Sequence, residues 1–221
     1  MLGPALSEDL FEFWSRCAPS ARVHPDDEAV LSRVEHGFDL RCLPAPYTGQ
    51  LKLAPVVLLF IAPGFDKFDV GHAKSAAGQS WYSHQRSGIA PLPSVAEHPT
   101  HHRWWTRIVR QFGVDADAAR SRIAILDLAP YHSASFSDGD LLSALPSCRR
   151  AVDWAQEVIF PQAIAGDRAV ICLRAAARWG LRTGTVEGEA LLCPDFTRSG
   201  VMLHGELRER VGAEVRARVA G

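Results

Sequence analysis

The residues able to do chemistry in this chain gather just past its apolar runs. His132 stands between Tyr131 and Ser133, directly after the run Ile123 to Ala129 and Pro130. Asp66 follows the run Val56 to Ala62 and the turn Pro63-Gly64-Phe65. A third run ends at Cys193-Pro194 and leads into Asp195-Phe196-Thr197-Arg198-Ser199-Gly200, with His204 beyond it. An imidazole can move a proton near neutral pH, or donate a hydrogen bond to an oxygen on which negative charge accumulates. A carboxylate can hold a water or face a developing cation, and an arginine on a loop can meet a phosphate. Each residue also has a plain structural use: His132 as a hydrogen-bonded core residue, Asp66 as a turn or N-cap acid, Arg198 as surface charge. Asp127 lies inside an apolar run, so it must face a helix layer or find a partner.

The elements that position these residues follow from the apolar runs. Val56 to Ala62 is apolar at every position, which implies burial on both faces, as in a parallel sheet covered by helices. The turn after such a strand lies at its carboxyl end, where open α/β sheets bind ligands. Similar runs predict strands over 55–61, 122–128, 167–173 and 189–194. Apolar spacing and capping residues predict helices over 7–17, with Ser7 as N-cap, and over 25–36, 99–112, 147–160, 175–181 and from about 205 to 219. The expected fold is a three-layer α/β/α sandwich around a central, mainly parallel four-stranded sheet. The chain is read as one domain over 1–221, with residues 1–40 as a helical N-terminal scaffold. Residues 42–50 are expected to be irregular, and 65–100 to form a long loop insertion whose Lys67, Lys74, Gln79, Trp81, Tyr82, His84, Gln85 and Arg86 suit ligand contact.

Composition narrows the classes. A formal net charge of −1 excludes a general nucleic-acid coat while leaving room for a local basic face. No apolar run approaches the ~20 residues of a membrane span. No Gly-x-Gly-x-x-Gly, Gly-Lys-Ser/Thr or Gly-x-Ser-x-Gly motif follows a strand, so no cofactor is indicated and an α/β-hydrolase elbow is missing. The five cysteines are scattered without a Cys-x-x-Cys pair, which points to free thiols, no metal site and a cytoplasmic protein; a monomer is the expectation.

With these turns in place, the chain resembles the uracil-DNA glycosylase superfamily over roughly residues 40–210. The resemblance rests on Phe60-Ile61-Ala62-Pro63-Gly64 at the first strand end and on Ile125 to His132 as the strand that supplies base recognition. It rests also on Val170 to Ala177 as a strand leading into small residues, and on the loop after Cys193. It implies a protein that binds DNA or a free nucleobase or nucleotide and hydrolyses an N-glycosidic bond. On that resemblance, His132 and Asp66 are the catalytic candidates. Ala62, Pro63, Gly64, Phe65, Tyr131 and Ser133 would hold the base, and Arg198, Ser199, Gly200 and His204 would meet the nucleic acid. Two departures stand out. Many members carry Asp or Asn where this chain has Ala62, and Cys193-Pro194-Asp195 aligns with their His-Pro-Ser loop. Two alternatives therefore stay open: a binding module on the same fold without catalysis, and a small-molecule hydrolase using His132 with Ser133 or Asp66. The latter is disfavoured because adjacent residues make a poor catalytic pair.

Overall fold

The computed structural model describes residues 9–136 and 139–221. Its centre is one mixed, mostly parallel sheet of six strands: β1 (Tyr47–Thr48), β2 (Val56–Phe60), β3 (Ile123–Asp127), β4 (Ala169–Cys172), β5 (Thr185–Glu187) and β6 (Leu191–Cys193), in the order β1-β3-β2-β4-β6-β5. β3, β2, β4 and β6 run parallel and correspond to the four expected strands. β1 and β5 pair antiparallel at the two edges. The sheet is thus larger than the expected four strands. The two extra strands are two and three residues long, too short to leave an alternation in the sequence. Short edge strands also offer little for another chain to pair with.

The flanking helices are α1 (Leu10–Ser15), α2 (Pro25–Leu31), α3 (Lys67–His72), α4 (Ala76–Arg86), α5 (Pro99–Arg110), α6 (Ala116–Ala119), α7 (Pro146–Trp154), α8 (Phe160–Ala165) and α9 (Glu206–Ala220). All five residues of β2 are buried, because its two faces feed two different cores. Val57 and Leu59 join Phe13, Trp14, Ala151 and Ile159 from α1, α7 and the turn after α7. Val56, Leu58 and Phe60 join Trp105, Ile108, Val211 and Val215 from α5 and α9. Burying each such side chain is worth about 1.5–3 kcal/mol, which fixes this segment at the centre of the sheet.

Several boundaries differ from expectation for local reasons. The expected N-cap Ser7 lies outside the described residues. α2 stops at Leu31, and its cap is the His24 ring, which accepts a hydrogen bond from the Asp26 amide at 3.2 Å. The helix expected over 147–160 continues to Ala165, but through a π turn at Ala155–Ile159. Pro161 explains the widened turn, since it lacks an N–H and crowds the carbonyl one turn earlier. The helix expected over 175–181 is only a 3-10 turn, Ala176–Trp179, bounded by left-handed Ala175 (φ 58°) and Gly180 (φ 79°).

The expected long loop over 65–100 contains α3 and α4. The inward face of α4 carries Gly78, Tyr82, Gln85 and Arg86, a set with little apolar periodicity. Gln85 instead knits loops together: its Oε1 accepts from the Gly49 amide at 2.9 Å and its Nε2 donates to the Pro91 carbonyl at 3.0 Å.

The connection leaving β2 passes through α3 and α4 to α5 on one face, whereas the connection leaving β3 reaches α7 on the other. Neighbouring strands whose connections part in this way open a crevice between their carboxyl ends. Here the crevice lies between the ends of β2 and β3. No described helix is long and apolar enough to cross a membrane.

Candidate functional site

The crevice holds a cavity of about 200 Å³. Pro63, Gly64, Phe65 and Asp66 line it from the β2 turn, and Asp127 and His132 from the end of β3. Asp69 comes from α3, and His98, Thr100, His101 and Trp104 come from the start of α5. The two strand ends stay paired beyond the sheet proper: Gly64 and Ser133 form a parallel bridge, and the Ser133 amide donates to the Pro63 carbonyl at 3.1 Å. This pairing aims His132 at the β2 turn. Its Nδ1 lies 2.7 Å from the Gly64 carbonyl, so the proton sits on Nδ1 and Nε2 is left to face the Tyr82 hydroxyl at 3.5 Å.

The buried carboxylate of the site is Asp69, three residues beyond the expected Asp66. Asp66 is an N-cap, as its plain structural use suggests: it is exposed, and its Oδ1 accepts from the Phe68 amide at 2.8 Å. Asp69 reciprocates by accepting from the Asp66 amide at 2.8 Å, completing a capping box. The same Asp69 carboxylate reaches two imidazoles. Its Oδ1 is 3.0 Å from His98 Nε2 and its Oδ2 is 3.5 Å from His132 Nδ1. The Gly64 carbonyl is therefore the closer acceptor of the His132 proton, and Asp69 adds charge behind it. Burial alone would raise the Asp69 carboxyl, but hydrogen bonds from His132 and His98 outweigh that and hold it below the ordinary carboxylate range. His98 caps α5 through Nδ1, which lies 3.3 Å from the His101 amide, so its Nε2 carries the proton given to Asp69.

Two further groups set the polarity of the cavity. Asp127 sits on the α5 face of β3, as its place inside the run requires, and its Oδ1 is buried with no hydrogen-bond partner among the described residues. Burial pushes its carboxyl well above the usual carboxylate range, with Arg174 opposing the shift. Burial thus favours the neutral form of Asp127, which has one O–H to donate and one C=O to accept. His101 is pushed down to about 3, first by burial and then by His98, and its Nε2 also lacks a partner among the described residues. Phe65 and Trp104 supply aromatic walls, and Trp104 packs edge-on against Phe60 with ring centroids 5.1 Å apart.

Other expected residues lie elsewhere. Tyr131 does not face the cavity. As the neighbour of His132 it points to the opposite face, where its hydroxyl donates to Asp27 Oδ2 at 2.5 Å and accepts from the His24 amide at 3.2 Å. Asp27 Oδ1 accepts from the Ser147 amide, so this network binds α2 and α7 to the end of β3. Ser133 Oγ turns towards the Gly37 carbonyl at 3.4 Å. Ala62 is half-buried against the α1–α7 core and is not among the cavity residues. Arg198 and Ser199 are exposed on a tight turn closed by the Thr197 amide donating to the Val201 carbonyl at 2.8 Å. Gly200 is buried in that turn against Phe60. His204 is exposed beside Arg208, before α9.

Asp69, His98 and His101 were not expected in the site. The available signal for Asp69 was the Asp-x-x-Asp spacing of a capping box at residues 66–69.

A larger cavity of about 350 Å³ lies on the opposite face, floored by Leu128, Leu142, Cys148 and Val152 and away from the strand-end histidines. All five cysteines are free and buried. Among the described residues no group of three or more His, Cys, Asp or Glu side chains is placed to hold a metal. No family model matches the chain, and neither a curated protein nor a solved structure does.

Proposed function

We propose that this protein takes a nucleobase into the crevice between β2 and β3 and hydrolyses its N-glycosidic bond, as a uracil-DNA glycosylase-like enzyme on a three-layer α/β/α sandwich. The observation that carries the proposal is the Asp127 carboxyl, buried with an unpartnered Oδ1 in the same cavity as the Asp69–His132 pair, where burial favours its neutral form. A neutral carboxyl offers a donor and an acceptor side by side, the pattern that complements the N–H and C=O edge of a uracil-like base. A cavity of about 200 Å³ falls below the roughly 300–1,000 Å³ of sites for drug-sized ligands, and suits a single small ring. Phe65 and Trp104 can cover the faces of that ring.

Catalysis would then centre on His132. Its imidazole would meet the oxygen on which charge gathers as the base departs, with the Asp69 carboxylate 3.5 Å behind Nδ1. Asp66, committed to its helix cap, is replaced by Asp69 as the carboxylate that matters.

The reading of a binding module without hydrolysis draws on one specific observation. Ala62 offers no polar group where many members of the resembled family place one, and both nitrogens of His132 already have neighbours. The discriminating experiment incubates the protein with single- and double-stranded DNA containing uracil, hypoxanthine or xanthine, and measures free base. Release of one of these bases, with an abasic site left behind, supports the enzyme. Base-dependent binding without release supports the module.

A further inference from the structure

We propose that Cys172 and Cys193 form a redox-active thiol pair, which a hydroperoxide converts reversibly into a disulfide joining the ends of β4 and β6. This chemistry needs neither a base nor a nucleic acid.

The pairing follows from the sheet. Opposite Val170 stands Leu191, and opposite Ile171 stands Leu192. One step further along these parallel strands brings Cys172, the last residue of β4, beside Cys193, the last of β6. Register neighbours share a face, and both thiols enter the α1–α7 core with Val170 and Leu191. Neighbouring strands lie about 4.7–4.9 Å apart, and the Cα atoms of a disulfide are usually about 4.4–6.8 Å apart. The link therefore needs no strand to shift. It falls near the short end of that span, which strains the bond and keeps it reducible.

The Cys172 thiol has one proton and two neighbours to take it: the Arg174 carbonyl, 3.3 Å from its Sγ, and the Cys193 sulfur. The bond from Cys172 draws the Cys193 thiol below its ordinary range, whereas the same bond and burial push Cys172 up. Cys193 is thus the thiolate that attacks. It is also the one nearer water. The chain leaves β6 through Pro194 to exposed Asp195, and Asp195 and exposed Glu187 both act on the Cys193 charge. Both thiols are buried, so an oxidant as small as a peroxide is the kind that reaches them. In the first step the Cys193 thiolate forms an S–O bond to the peroxide, the O–O bond breaks, and hydroxide leaves to gather a proton as water. In the second, Cys172 gives up its proton and its sulfur attacks the sulfenic sulfur. The S–S bond forms, the S–O bond breaks, and a second water leaves. The two thiols lose two electrons and the peroxide gains them.

The test treats the folded protein with hydrogen peroxide, then denatures it and alkylates the remaining thiols for mass spectrometry. Wild type is expected to lose two of its five thiols. Its tryptic peptides 169–174 and 183–198, each with a single cysteine, should be joined through a bond that dithiothreitol cleaves. Cys148→Ala should still form the link. Cys172→Ala should stop at a sulfenic acid on Cys193, trapped by dimedone, and Cys193→Ala should leave Cys172 reduced. Melting curves taken before treatment show that each variant is folded, and the wild-type peptide map decides the matter where one is not. A map in which both cysteines remain alkylated overturns the pair. So does one in which Cys193 is carried on to sulfinic or sulfonic acid without the link, or in which either cysteine joins Cys17, Cys42 or Cys148.

Discussion

Asp69 joins structure and chemistry in one side chain: it closes the cap of α3 and meets both His98 and His132. Asp69→Ala should therefore cost about 3 kcal/mol of stability, two charge-assisted hydrogen bonds' worth, and base release should fall with it. Asp66→Asn should retain both, because Asn caps a helix as well as Asp does. Urea denaturation midpoints alongside base-release rates check the pair. His132→Ala should reduce base release roughly a hundred- to thousandfold, the loss typical of one donor to a developing oxyanion. Since His132 is buried and bonded to Gly64, its removal should also lower the melting temperature. From sequence alone a small effect is expected there, because a position past the strand reads as loop.

Protonation supplies a second test at this scale. His101 has an ordinary value of 6.5 and is pushed down to about 3 in the fold. The unfolded chain binds that proton first, so the stabilising contribution is complete above pH 6.5 and is lost as pH falls towards 3. Asp69, also lowered, adds a loss of the same sign below about pH 4. Asp127 works the other way: burial raises its carboxyl, so its contribution is complete below about pH 4 and is lost as pH rises through the raised value. Asp127→Asn, which removes that proton requirement, should raise the melting temperature at pH 8 relative to wild type and lose the advantage at pH 4. A variant less stable than wild type at pH 8 would show that Asp127 is ionised or otherwise satisfied.

At the scale of elements, the turn after β6 is held by Gly200. Its φ of +80° and the 2.6 Å that would separate an added Cβ from the Phe60 ring leave no room for a side chain. Gly200→Ala should destabilise the protein by about 1–3 kcal/mol, through backbone strain and overpacking, and should displace the wall of the cavity near Trp104. Ala175→Gly should do the reverse, stabilising by up to about 1 kcal/mol because a left-handed alanine costs roughly that much. Melting curves of the two variants check both signs. The parallel strands were legible because each is apolar on both faces, and their turns followed from the prolines and glycines after them. β1, β5, α3 and α4 were not. The first two are too short to show a period, and α4 buries Gln85 and Arg86 where a periodic pattern would need apolar residues.

At the scale of the whole molecule, the site is a consequence of topology. Connections that leave β2 and β3 on opposite faces place the Pro63-Gly64 turn and His132 side by side, an arrangement the shared strand-then-proline design made legible. The parity of Tyr131 was not legible: adjacent residues past a strand point apart, and which one meets the crevice depends on the register set by the Gly64–Ser133 bridge. Asp69, His98 and His101 arrive from helix starts distant in sequence, so only the folded chain brings them to the same cavity.

The most direct measurement is release of free base from uracil-containing single-stranded DNA by the wild-type protein, with His132→Ala in parallel. Wild type is expected to yield free uracil and an alkali-labile abasic site, and the variant to lose at least about a hundredfold in rate. Intact DNA after prolonged incubation with folded wild type, across uracil, hypoxanthine and xanthine substrates, would contradict hydrolysis at this crevice.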